Sequence, residues 1–262
     1  MEFKQVSKTY DTGYTAIKDV TFCVDDAPDR MEIVGILGPS GCGKSTVLRL
    51  IAGLTPQHPA TTGRVEVMGH PVASPGADRG FVFQDYTSFD NRTVEQNIAF
   101  GLECRGMASA ERTELARDWI QKVGLDVTRD AQKYPHELSG GMRQRVALAR
   151  TLILKPRVIL MDEPFGALDP RTRYAMQDQL VTLSREVQAT VFLVTHSIEE
   201  AVFVGDRLFI FSNAPGTILT QMEVPSPDRP AHVMQREQSF LDIAFSVRDI
   251  IEGLEMSNRA GT

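Results

Sequence analysis

Apolar residues along the chain fall into two kinds of run. In Ile17 to Val24 they alternate with polar ones at Val20, Phe22 and Val24, the period of a strand with one buried face. Met1 to Val6 and Gly63 to Met68 also have β character, and together the three predict a small antiparallel layer. Met31 to Leu37, Val158 to Met161, Thr190 to Val194 and Leu208 to Phe211 lack polar alternation, as parallel strands covered on both faces do. Helical spacing marks Ser45 to Ala52, through Val47, Leu48, Leu50 and Ile51, and a longer segment from Arg171 to Val187. From Asn91 to Leu154 helical spacing dominates, with Glu111 to Val123 and Arg143 to Leu152 amphipathic. The pattern predicts an α/β fold on a mainly parallel sheet, with residues 1–90 and 155–214 forming the core and 91–154 a helical insert. The tail, 215–262, carries Pro215, Pro225, Pro227 and Pro230 and then a helix from about Ser239 to Leu254. Too short for a domain of its own, it is expected to pack on the core or on a partner.

With 42% apolar and 24% charged residues over 262 positions, the chain has the composition of a folded globular protein. Its net charge of −6 argues against a nucleic-acid partner held by bulk electrostatics. No run of about 18 apolar residues is present, and Met1 to Val6 lacks the layout of a signal peptide, so the chain is expected in the cytosol. Cys23, Cys42 and Cys104 form no CxxC pair, which predicts reduced thiols rather than a disulfide framework or a zinc site.

Gly38, Pro39, Ser40, Gly41, Cys42, Gly43, Lys44 and Ser45 match G-x-x-x-x-G-K-[ST] between a predicted strand and a predicted helix, and Thr46 continues that helix. Glycines there let backbone N–H groups turn toward phosphates and the helix N-terminus adds a positive dipole end. Lys44 neutralises the β/γ oxygens and the Ser45 hydroxyl ligates Mg²⁺. The site therefore calls for a nucleoside triphosphate and Mg²⁺. Arg157 to Pro164 reads as a buried strand ending in Asp162 and Glu163, at the edge where parallel sheets bind ligands. Asp162 is placed to hold Mg²⁺ through water and Glu163 to polarise an attacking water. Ser139, Gly140 and Gly141 open a helix, so their N–H groups form a second anion site, with Ser139 also a natural N-cap. Within the phosphate loop, Lys44 and the helix N-terminus are expected to favour the Cys42 thiolate, so that alkylation there would block ATP and ATP would protect it. His58, His70, His136 and His232 have no ligand spacing and read as structural.

The order of these elements over nearly the whole chain resembles the ABC ATPases: Tyr10, the phosphate loop, Gly80 to Gln84, Leu138-Ser-Gly-Gly141, the Asp162-Glu163 pair, Gly166 to Asp169, then Thr195-His196. The resemblance implies the P-loop ABC fold and further roles. Tyr10 stacks on adenine, as a flat π-face allows, and Gln84 contributes a neutral oxygen to Mg²⁺ and the water. His196 donates to the γ-phosphate and holds Glu163 and water in line. Ser139 to Gly141 contact the γ-phosphate held by a second copy, giving a homodimer that sandwiches two ATP, with Asp169 passing between the sites. Pro75 to Gln84 is similar to the nitrate, sulfonate and taurine importer ATPases, which work with membrane permease subunits and an extracytoplasmic substrate-binding protein. Where that group often carries a Trp-containing stretch on the surface that receives the permease, this chain has Asp85 to Arg92. The resemblance thus implies an ATP-hydrolysing importer subunit, peripheral on the inner face of the cell membrane. The alternatives are another transporter subgroup, or a soluble ABC ATPase of DNA repair or translation. The latter is disfavoured by the single cassette without extended heptads.

Overall fold

The computed structural model describes residues 1–25, 31–85, 87–166 and 168–259, with side chains described to residue 253. Tyr86, inside the Asp85 to Arg92 stretch, and Ala167, inside Gly166 to Asp169, lie outside the described residues. The chain opens with β1 (Glu2–Thr9) and β2 (Thr15–Cys23), followed by β3 (Ile33–Leu37), the phosphate loop and α1 (Lys44–Ala52). Next come β4 (Thr62–Val67), β5 (His70–Pro71) and β6 (Arg79–Val82). A helical stretch follows: α2 (Val94–Cys104), α3 (Ser109–Lys122), α4 (Val127–Asp130) and α5 (Gly140–Leu152). The chain then alternates through β7 (Val158–Asp162), α6 (Pro170–Val187), β8 (Thr190–Val194), α7 (Ile198–Val204) and β9 (Arg207–Phe211). It closes with β10 (Ile218–Glu223), α8 (Ala231–Met234) and α9 (Gln238–Arg259).

Two sheets result. One is antiparallel, in the order β2-β1-β4-β5; the other runs β10-β9-β3-β8-β7-β6 and is parallel except for β10 against β9. The parallel strands lack polar alternation because successive residues enter two different cores. Val34, Ile36, Val158, Leu160, Phe192, Val194, Phe209 and Phe211 pack with α1 and the antiparallel layer. Ile33, Leu37, Ile159, Met161, Val191, Leu193, Leu208 and Ile210 face the core shared with the helical stretch and the tail. Phe22 joins the two sheets, stacked on Phe3 at 4.5 Å and tilted against Phe209 at 5.1 Å. With both faces apolar, β3, β7 and β8 are buried at every position, so these central strands remove apolar surface from water on both sides.

The structure sets bounds within the predicted helical stretch and adds elements, α7 and β10 among them, that the sequence reading did not name. Residues 94–104 form α2, whose buried row Val94, Ile98, Ala99 and Leu102 is interrupted by a buried Asn97. Asn97 Nδ2 donates to the carbonyls of Phe89, Arg92 and Thr93, and its Oδ1 accepts from the Phe89 N–H, so it staples the loop that enters the helix. A legible signal did exist: Thr93 and Gln96 form a capping box. The short α7 is capped by Ser197. The proline-bearing tail also contributes β10, with alternate half-buried and exposed residues on a sheet edge, and α9 lays Phe240, Ala244 and Val247 into the larger core.

Candidate active site

β3 delivers the chain into the phosphate loop at the C-terminal edge of the parallel sheet, and α1 carries it away. Gly41 and Gly43 have φ of 78° and 93°, the left-handed region that side chains resist. A Cβ on Gly43 would also lie 2.5 Å from Ile17 Cγ2, so β2 packs too closely for any other residue. No side chain caps α1, so its first N–H groups point into the loop. Lys44 is 6% exposed, and its Nζ donates to the carbonyls of Gly38 and Pro39, both at 2.8 Å. Its charge is thus held over the loop, where phosphate oxygens would compete for the same donors.

The neighbouring strands supply the acids. Asp162 ends β7 and its Oδ1 accepts from Ser45 Oγ at 2.8 Å. A hydroxyl and a carboxylate facing each other are hard oxygen donors of the type Mg²⁺ takes, so this pair fits that ion. Glu163 follows with φ 50°, unusual for a residue with a side chain, and its N–H donates to Val194 O at 2.8 Å. Its Oε2 lies 2.7 Å from His196 Nε2, which comes from the loop after β8. The left-handed backbone of Glu163 thus coincides with a carboxylate set against the histidine.

Tyr10, Tyr14, Ala16, Ser40, Gly41, Gly43, Lys44, Ser45, Thr46, Glu163 and His196 line one cavity of about 340 Å³. Tyr10 Oη lies 3.3 Å from Thr46 Oγ1, and Tyr14 stacks near-parallel to it at 6.4 Å while donating to Gly41 O at 3.0 Å. Sequence spacing did not single out Tyr14; only the turn between β1 and β2 brings it to the loop. Gln84, two residues beyond β6, is exposed and does not line this cavity. Nor do Ser139, Gly140 and Gly141. Ser139 caps α5 by accepting from the Met142 N–H at 3.3 Å, and this segment is exposed to half-buried. Asp169 likewise caps α6, accepting from the N–H groups of Arg171 and Thr172, and the Thr172 hydroxyl foremost, with those N–H groups, holds its carboxyl below the usual carboxylate range.

Cys42 departs from the expectation of a thiolate. Its side chain is fully buried between β2, α1 and the β9 strand, and burial pushes the thiol pKa up despite Lys44 Nζ at 3.8 Å. Desolvation outweighs one nearby cation. In this loop Cys42 can serve nucleotide only through its backbone.

A glycine loop between a parallel strand and a helix, with two acids at the end of an adjacent strand, defines a P-loop nucleoside triphosphatase. Residues 17–166 match the ABC transporter family profile. The nitrate import ATP-binding protein NrtD of Synechocystis is 40% identical over 92% of this chain and 89% of its own length. The taurine import ATP-binding protein TauB of Escherichia coli is 43% identical over 80% of this chain and 79% of its own. A solved dimeric ATP-binding cassette in a post-hydrolysis state with ADP and Pi superposes with a TM-score of 0.73 at 32% identity, covering 86% of this chain and 99% of that one. The chain therefore belongs to the ABC transporter family, as an ATP-binding subunit whose ATP hydrolysis is coupled to transport. The similarity to nitrate and taurine import subunits also fits the importer group that Pro75 to Gln84 resembles.

Proposed function

We propose that two copies of this chain close head to tail on two ATP molecules and so drive a permease that imports a small anionic or zwitterionic solute of the nitrate, sulfonate or taurine kind. The observation that carries the dimer is the separation of Ser139 to Gly141 from the cavity holding Lys44, Ser45, Glu163 and His196. None of Ser139 to Gly141 is among the described residues that line the Lys44 cavity, so the N–H groups opening α5 serve the site of the other copy. In this reading residues 1–90 and 155–214 hold the nucleotide and 91–154 is the arm that offers Ser139 to Gly141. Residues 215–262 complete the sheet edge and pack on the core.

Within one composite site Tyr10 receives the adenine, and the loop N–H groups and Lys44 bind the phosphates. Ser45 and Asp162 would hold Mg²⁺, with phosphate and water completing a shell that two protein oxygens leave open. The ion's chemistry is to neutralise charge on the β/γ oxygens. Glu163, fixed at 2.7 Å by His196, polarises the attacking water, and His196 can donate to the γ-phosphate. Gln84 reaches this site only if dimer closure brings its loop inward.

Partner docking is supported by a second cavity of about 460 Å³, formed where β6 meets α2 and α5 and lined by Phe81, Phe89, Phe100, Leu154 and Pro156. Arg150 lies over the Phe89 ring at 5.8 Å. A short cytoplasmic helix of the permease suits an apolar groove beside the Asp85 to Arg92 stretch. Among the described residues no helix is long and apolar enough to cross a membrane, so the permease would hold the chain at the inner face. An extracytoplasmic substrate-binding protein would deliver the solute.

Glu163→Gln tests the reading. With ATP and Mg²⁺ this variant is expected to run as a dimer in size-exclusion chromatography with light scattering, with turnover reduced at least about a hundredfold. Turnover near that of the unaltered chain would remove Glu163 from the water-activating role, and a persistent monomer would remove the sandwich.

A further inference from the structure

Thr195, immediately before His196, donates through Oγ1 to Glu200 Oε2 at 2.5 Å and accepts from the Ser197 N–H at 3.1 Å. Glu200 is on α7 and only 4% exposed. Its other oxygen forms an ion pair with Arg173 Nε of α6 at 3.5 Å, and Arg173 Nη2 donates to the Leu168 carbonyl at 3.0 Å. Leu168 is the residue before Asp169, in the turn that leaves Glu163 and enters α6. A buried carboxylate thus stands between the loop that carries the histidine and the turn that follows the catalytic acid. A carboxylate this deep is costly unless its partners are held, so burial makes the arrangement rigid.

We propose that Glu200 is a positioning residue: through Thr195 and Arg173 it locks the His196 loop to the Leu168-Asp169 turn, so that the two move as one unit when the copies close. This rests on the roles of Glu163, His196 and the dimer argued above. The physical consequence is a link between sites. Asp169 is exposed and its turn is the part of the acid-bearing segment free to meet a second copy. A shift of that turn passes through the guanidinium to Glu200 and through Thr195 to the histidine that aims Glu163. Thr195, Glu200, Arg173 and Leu168 do not line the nucleotide cavity, so the network acts on the geometry of water attack rather than on ATP affinity.

Two variants break the link from opposite ends. Glu200→Gln keeps a hydrogen-bonding group for Thr195 but removes the charge that holds Arg173; Arg173→Met, one-third exposed at its side chain, removes the guanidinium from the less buried side. In the full-length protein each is expected to lower kcat at least about tenfold while the Kd for trinitrophenyl-ATP changes less than about twofold, and to bring the Hill coefficient for ATP toward about one. The double variant should lose no more than either single one, because both cut the same connection. Additive losses, an unchanged kcat, or a fall in affinity matching the fall in kcat would each overturn the proposal. Should Glu200→Gln not fold, Arg173→Met alone decides through the same split between kcat and Kd. The underlying reading fails separately: a Glu163→Gln protein that turns over normally would discard the roles of Glu163 and His196 whatever the linked variants do.

Discussion

At the scale of single residues, burial decides more than neighbouring charge. Cys42 lies two positions from Lys44, yet its thiol is driven up because the side chain is inside the core. Iodoacetamide at pH 8 should therefore modify the exposed Cys23 and Cys104 well before Cys42, with no protection by ATP; peptide mass spectrometry reads the order. Asp130 shows the opposite balance. Its carboxylate is buried at the end of α4, but Arg129 and Lys133 close on it at 3.0 and 2.8 Å and the Asp126 N–H donates to it. These partners, Arg129 foremost, hold its carboxyl well below the usual carboxylate range. A depressed acid stabilises the fold above its unfolded pKa of about 4 and loses that contribution as pH falls through the folded value. Asp130→Asn is expected to cost about 2 kcal/mol at pH 7 and to flatten the loss of stability below about pH 4, measured by urea unfolding across pH.

At the scale of elements, the tail supports the phosphate loop from behind. The turn before β10 pairs with β2, where the Lys18 N–H donates to Gly216 O and the Gly216 N–H to Ala16 O. A Cβ added at Gly216 would stand 1.9 Å from the Cys42 carbonyl. Gly216→Val must push the loop or the turn aside, at about 1–3 kcal/mol. Part of that cost should appear as weaker ATP binding, about tenfold for each 1.4 kcal/mol, in a titration of the full-length protein. An unchanged affinity with lowered stability would mean that the turn, and not the loop, yields. The prolines at 215, 225, 227 and 230 made the tail read as irregular, and that reading missed β10 because an edge strand with one wet face tolerates flanking prolines.

For the whole molecule, the two cores share the parallel strands, so a ligand that binds only the folded form stabilises both together. A ligand that binds only the folded state at a hundred times its Kd adds about 2.7 kcal/mol. For a chain of 262 residues that amounts to a rise in Tm of about 5–10 °C. The Glu163→Gln protein with ATP and Mg²⁺ should show it by calorimetry, and the rise should grow with protein concentration because closure of two copies adds to binding. A rise independent of concentration would separate ATP binding from dimer formation.

The phosphate loop and the acid pair were legible in the sequence as motifs, whereas the state of the Cys42 thiol and the place of Tyr14 were not. Residues 38–46 and the acids at 162 and 163 belong to motifs set by backbone geometry and charge close in the chain, so order and spacing suffice to find them. The apolar runs gave the strands, since a residue buried on either face must be apolar wherever its partner lies. Contacts across the fold were not legible. Tyr14 against Gly41, Gly216 against Cys42, Asn97 across the loop from Phe89 to Thr93, and the bridge from Thr195 through Glu200 to Arg173 join residues far apart in the chain or carry no pattern of their own. Desolvation of Cys42 belongs to the same class, because the environment of a side chain is set by what packs over it and not by what precedes it.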